Sequence, residues 1–272
     1  MASFDVIEAS GFAYRLLWGE RRYLMRLALV PLLVQIVCHA GVAIFGWETQ
    51  FIKQALMMLP SYFTDGWMLA HLTRLIFLDQ RWPFRPTGDR TKDMAMLQDR
   101  AQGIMGGTLF YVVIRFLMAG VLEGTYIVSQ QTTPESAGAS PAAPFFALGA
   151  LALLVFMVWG FRFLWLYIPA ALNAPVRDFL AAIRGFGASF YMMGAWLVSF
   201  VPLLMAYIFV TTFLFSLAGV EAGAGPETLP LSLKITIEVL RALMDLTIRI
   251  LSTAAIAYGI RAMMDPRRNT GL

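Results

Sequence analysis

Six apolar runs, each long enough to cross a bilayer as a helix, recur along this chain and limit what it can fold into. A helix rises about 1.5 Å per residue and a hydrocarbon core is about 30 Å thick, so roughly 20 apolar residues make one crossing. The runs lie at about 27–45, 52–78, 104–122, 145–168, 190–217 and 233–260 of the 272 residues. Only 14% of residues are charged and 59% are apolar. A soluble globule of this size has too little interior to hide that much apolar surface. Disordered, coiled-coil and collagen-like chains need polar or repetitive sequence, so those classes are excluded as well. The expected fold is all-α: a polytopic transmembrane helix bundle of six spans, forming a single integral membrane domain over 1–272.

Lys and Arg collect on the cytoplasmic side of membrane proteins, so they set the orientation. The head at 1–26 carries Arg15, Arg21, Arg22 and Arg26. The 79–103 connection carries Arg81, Arg85, Arg90, Lys92 and Arg100. The 171–189 connection carries Arg177 and Arg184, and the tail carries Arg261, Arg267 and Arg268. The opposite side has only Lys53 and Lys234, near span ends, and its connections at 123–144 and 218–231 have no base. This asymmetry predicts an even number of spans with both termini in the cytoplasm. A cleavable leader is not expected, because the first apolar run follows a long head of mixed charge. The single cysteine, Cys38, cannot form an internal disulfide.

Residues 3–20 read as an amphipathic helix, with Phe4, Ile7, Phe12, Leu16 and Leu17 on one broad face. It is expected either to lie in the membrane interface or to pack under the bundle. The 79–103 connection mixes its bases with Asp79, Asp89, Asp93 and Asp99. That balance predicts a solvated loop and no nucleic-acid partner. Pro60 and Pro202 predict kinks in the second and fifth spans.

Charges inside spans are the sharpest functional signal, since each costs on the order of 3 kcal/mol near the bilayer centre. Asp65 and Arg115 fall near the midpoints of consecutive antiparallel spans. An interhelical pair is therefore predicted, serving either to fix register or as a substrate or proton site. Arg74 and Arg162 lie closer to span ends, within reach of the headgroups. On the sixth span Lys234, Glu238, Arg241, Asp245 and Arg249 share one stripe of alternating sign. Either that stripe lines a polar interior, or its first turns project beyond the lipid and leave Asp245 and Arg249 at depth. The candidate polar site is thus Asp65, Arg115, Asp245 and Arg249, with Arg162, Glu238 and Arg241 of lower weight.

Catalytic signatures are not found. His39 and His71 lie in different spans, and no HExxH, GxSxG or phosphate-binding loop occurs. Asp65–Gly66 followed by Ala70–His71 departs in spacing and residue type from the opening motif of the CDP-alcohol phosphotransferases. No catalytic residue, metal or cofactor is predicted. Gly103–Gly107, Gly120–Gly124 and Ala255–Gly259 have the small-xxx-small spacing that allows close helix approach.

Three stretches carry a family resemblance: SGFAYRLLWGERRYLMRLALVP (10–31), WMLAHLTRLIFLDQRWP (67–83) and RFLWLYIPAALNAPVRDFLAAIRGFGASFYMMGAW (162–196). They resemble a loose family of six-helix bacterial inner-membrane proteins, similar to the membrane domain of glycerophosphodiester phosphodiesterases and to YciC-type proteins. The pattern places Arg162, Pro169, Arg177 and Arg184 around a span end and a short basic connection. The soluble phosphodiesterase domain is absent, so the resemblance implies a membrane component and no activity. The expected function is non-enzymatic, in envelope or membrane homeostasis. It would act through the bilayer together with a membrane-protein partner or a homo-oligomer. The alternative is a small transporter or lipid-handling protein for an anionic solute or headgroup.

Overall fold

The computed structural model describes residues 4–47, 50–131, 155–219 and 231–264. Among them the regular elements are all helices: α1 (Val6–Gly19), α2 (Arg21–Phe45), α3 (Phe51–Met57), α4 (Leu59–Leu78) and α5 (Arg90–Gln131). They continue with α6 (Val155–Ala171), then α7 (Val176–Ala182), α8 (Phe186–Leu217) and α9 (Leu231–Met264). Three of these, α2, α5 and α8, are long and apolar enough to cross a membrane.

Polarity is inverted relative to a soluble bundle. The two long helices without an uninterrupted apolar window of spanning length, α4 and α9, are the inner ones. In α4, thirteen of twenty residues are buried, among them Asp65, His71 and Arg74. In α9, Leu251, Ala254, Ala255, Ile256 and Ala257 are fully buried. By contrast, only 6% of the most apolar window of α8 is buried, and 33% of those in α2 and α5. Charged groups are costly to leave in an apolar surround, so they turn toward one another, while the apolar helices form the outer wall.

Small residues set the closest contacts. A Cβ added to Gly107 would stand 2.8 Å from the Ala171 Cβ, and one on Gly103 would overlap the Ala171 carbonyl oxygen. The glycines therefore admit the end of α6 directly against α5. Gly259 accommodates the Phe4 ring in the same way. Gly120 and Gly124, of equal spacing, face open space.

Several sequence expectations shift. The second apolar run is not one kinked rod but two helices, α3 and α4, because Pro60 cannot donate to the Leu56 carbonyl and sits instead in the first turn of α4. Pro202 is carried inside a continuous α8, as is Pro31 in α2. The supposed loop at 79–103 is half helix, since α5 already begins at Arg90. Asp93 anchors that start by accepting hydrogen bonds from the Thr87 N–H (2.9 Å), the Thr87 hydroxyl (2.7 Å) and the Gly88 N–H (3.3 Å). The fourth apolar run tightens into a 3-10 turn over Phe161–Trp165, where Pro169 leaves the Trp165 carbonyl without its helical donor. Residues 145–154 of that span, and most of the 123–144 and 218–231 connections, lie outside the described residues.

Helix α1 packs on the bundle largely through the expected face, with Phe4 buried and Phe12, Leu16 and Leu17 packed against the core, while Ile7 turns outward. Asp5 caps it, accepting from the Ile7 and Glu8 N–H groups at 2.8 and 3.0 Å. Ala9, Ser10 and Ala13 are buried against the bundle, whereas Ile7 is 76% exposed. At the centre of that face the short side chains let the backbones approach, and the Ser10 hydroxyl donates to the Ala195 carbonyl of α8 at 3.2 Å. Beyond it, Tyr14 donates to the Ser199 carbonyl and Tyr258 of α9 to the Glu8 carboxylate.

Candidate functional site

Asp65 is fully buried, and its partner is Arg249 of α9 rather than Arg115. The same oxygen, Oδ2, also accepts from the Ser61 hydroxyl at 3.1 Å. The helical wheel explains the choice. Gly66, next in sequence, abuts Thr108 of α5, so Asp65, about 100° round the helix, faces α9. Arg115 instead rests its guanidinium 5.1 Å from the centre of the Tyr62 ring.

The charged stripe of α9 turns toward α2 and α4. His39 of α2 stands between two of its acids, with Nδ1 3.4 Å from Glu238 and Nε2 3.9 Å from Asp245. Arg241 lies 3.8 Å from Glu238 along the helix. Arg249 ends the series on Asp65, and one turn further the Thr253 and Tyr167 hydroxyls meet at 2.7 Å. Asp65, Asp245 and Arg249 therefore form one region with His39, Glu238 and Arg241, while Arg115 stands beside it. Arg162 is elsewhere: it donates to the Ile183 carbonyl at 3.3 Å and lies 4.6 Å from the Trp159 ring centre. Among the described residues no group of three His, Cys, Asp or Glu side chains is placed to hold a metal ion.

Arg74 does not reach outward. It is fully buried, donating to the Ala171 carbonyl and to Gln80, each at 2.9 Å, and pairing with Asp99. Asn173 donates to the other Asp99 oxygen at 2.7 Å. The close approach at Gly103 and Gly107 brings that carbonyl within reach, so one guanidinium ties α4, α5 and α6 together.

Neither of two cavities near the opposite ends of these helices is lined by a sequence-predicted site residue. The larger, about 750 Å³, lies among Arg21, Arg22, Tyr23, Arg26, Trp67 and Trp82. The smaller, about 490 Å³, lies between α4 and α5 and shares Trp67 and Trp82 with it. At the rim Glu20 binds Arg81 at 2.7 Å, which raises the Arg81 guanidinium above its ordinary value, and the Tyr23 hydroxyl accepts from the Trp82 N–H at 3.1 Å. Arg100 and His71 line the smaller cavity. Arg100 is not a site candidate on sequence because the 79–103 connection reads as a solvated loop. As a helix, Leu97, Arg100, Ala101, Ile104, Met105 and Thr108 recur at three- and four-residue spacing and define one cavity-facing stripe.

The chain matches no protein-family profile, no curated protein and no solved structure.

Proposed function

We propose that this is an integral inner-membrane protein of six spans with cytoplasmic termini, without enzymatic activity. It would work in envelope or membrane homeostasis through a membrane-protein partner or a second copy of itself. The observation that carries the reading is the inverted polarity. Apolar side chains cover α8, with Phe209 74% exposed, while Asp65 and Arg74 are fully buried. In water such a surface aggregates; in lipid it is the favourable arrangement.

The six-span count gains support from helix lengths and register. The twenty residues of α4 span about 30 Å, one hydrocarbon thickness, although Asp65 and Arg74 lower its hydropathy. Contacts also pair matching ends. Arg74 with Ala171, and Arg261 with the Ile76 carbonyl, join ends flanked by basic segments. His39 with Glu238 joins the other ends of α2 and α9. The resemblance to the six-helix inner-membrane family belongs to the same proposal.

The inner charges fit a structural role better than a transport path. Asp65 is closed off by Arg249 and Ser61, and neither cavity reaches it. Buried ion pairs commonly fix register while adding little net stability. Deletion in the host, scored by an envelope-permeability assay, tests the role. A phenotype is expected, rescued by the wild-type chain and by the apolar pair Asp65→Leu with Arg249→Met. An unaltered envelope would contradict the role. A folded apolar pair that fails to rescue would show that the charges act chemically.

A further inference from the structure

Among the described residues Arg100 is a buried cation with no carboxylate counter-ion. It is 5% exposed, and its Nε has no hydrogen-bond partner. One terminal nitrogen lies 3.3 Å from His71 Nδ1, and the guanidinium stands 5.6 Å from the Trp82 ring centre. Among the described residues no carboxylate comes within ion-pair distance of it. The neighbouring Arg74 already holds Asp99. An imidazole and an indole face do not balance a desolvated charge, so the site favours an incoming anion.

The surroundings define that anion. The cavity on Arg100 shares Trp67 and Trp82 with the larger cavity, whose wall carries Arg22 and Arg26. The single acid there, Glu20, is engaged by Arg81. The residual charge is therefore positive, and guanidinium forks match phosphate oxygens. Away from these bases the smaller cavity turns apolar, with Phe63, Met105 and Leu109 each at least 42% exposed. From Arg100 to Leu109 the helix rises about 14 Å, close to the roughly 15 Å of one leaflet's hydrocarbon.

We propose that the Arg100 site binds an anionic glycerophospholipid of the cytoplasmic leaflet. Its phosphate meets Arg100, with Arg22 and Arg26 beside it, and one acyl chain lies between α4 and α5 down to Phe63 and Leu109. This goes beyond the partner-mediated reading, and its test measures lipid affinity without any envelope phenotype.

Native mass spectrometry of the full chain in mild detergent, titrated with phosphatidylglycerol, phosphatidylcholine and glycerol 3-phosphate, decides the matter. Phosphatidylglycerol is expected to bind at least about tenfold more tightly than phosphatidylcholine. Arg100→Gln and Arg26→Gln should each lower its affinity about tenfold, and the remote Arg177→Gln should not. Arg26 is exposed, so its variant keeps the test open if Arg100→Gln fails to fold. Met105→Trp should weaken the lipid by filling the chain groove. Equal affinity for the two lipids, or equal loss in Arg177→Gln, would overturn the proposal. So would displacement of the lipid by glycerol 3-phosphate alone, which would assign the site to a soluble phosphate ester.

Discussion

Breaking the Asp65–Arg249 pair by one residue should cost far more than removing both. Asp65 has no solvent exposure and Arg249 retains only 12%. At a contact separation of about 3 Å and an effective dielectric near 20, the attraction is about 5 kcal/mol. Removing one partner strands the other charge, at roughly 3–5 kcal/mol. For a domain of this size that lowers the melting temperature by roughly 6–20 °C, at about 2–4 °C per kcal/mol. Purified variants in mild detergent, followed by tryptophan fluorescence during heating, give the comparison. Asp65→Leu and Arg249→Met should each show the full loss, and the double variant should recover most of it, a coupling of at least about 2 kcal/mol. Arg115→Gln should cost only about 0.5–2 kcal/mol, the scale of its contact with Tyr62. Additive losses from Asp65 and Arg249, or a larger effect from Arg115 than from Arg249, would refute the pairing.

Other variants probe separate joints of the bundle. Gly107→Val forces a side chain into the Ala171 backbone and should destabilise by about 1–3 kcal/mol, whereas Gly120→Ala, facing open space, should be neutral or stabilising in the same melt. Arg74→Lys should lose stability almost as Arg74→Met does, because a lysine cannot reach Ala171, Gln80 and Asp99 together; equal stability of Arg74→Lys and wild type would contradict this. Thr253→Val leaves the buried Tyr167 hydroxyl without its partner and should cost about 1–3 kcal/mol, much of it recovered by adding Tyr167→Phe.

Hydropathy made the helical class and the outer helices legible. The runs at 27–45 and 190–217 correspond closely to α2 and α8. Those helices face outward, so their composition is nearly uniform and easy to read. The inner helices are harder, because burying charge on α4 and α9 dilutes the same signal. Asp65, Asp245 and Arg249 were identified because a charge inside a span is costly. Their partners were not, since sequence distance carries no information about which face α4 turns to α9. His39 was weighed only as a metal ligand and emerged beside Glu238 and Asp245. Arg74 was misread as reaching outward because the glycine-mediated approach of α6 is a tertiary fact. Arg100 was lost in an apparently balanced loop, because the sequence does not show that Asp89, Lys92 and Asp93 are taken up in capping and an ion pair within the segment while Asp99 goes to Arg74 of α4.

The central claim is that the basic segments gather on one side of a bilayer crossed an even number of times. Paired reporters fused after Leu272 test it most directly: green fluorescent protein, which matures in the cytoplasm, and alkaline phosphatase, which is active only outside it. Bright fluorescence with an inactive phosphatase is the predicted result. An active phosphatase on a non-fluorescent counterpart would contradict the topology.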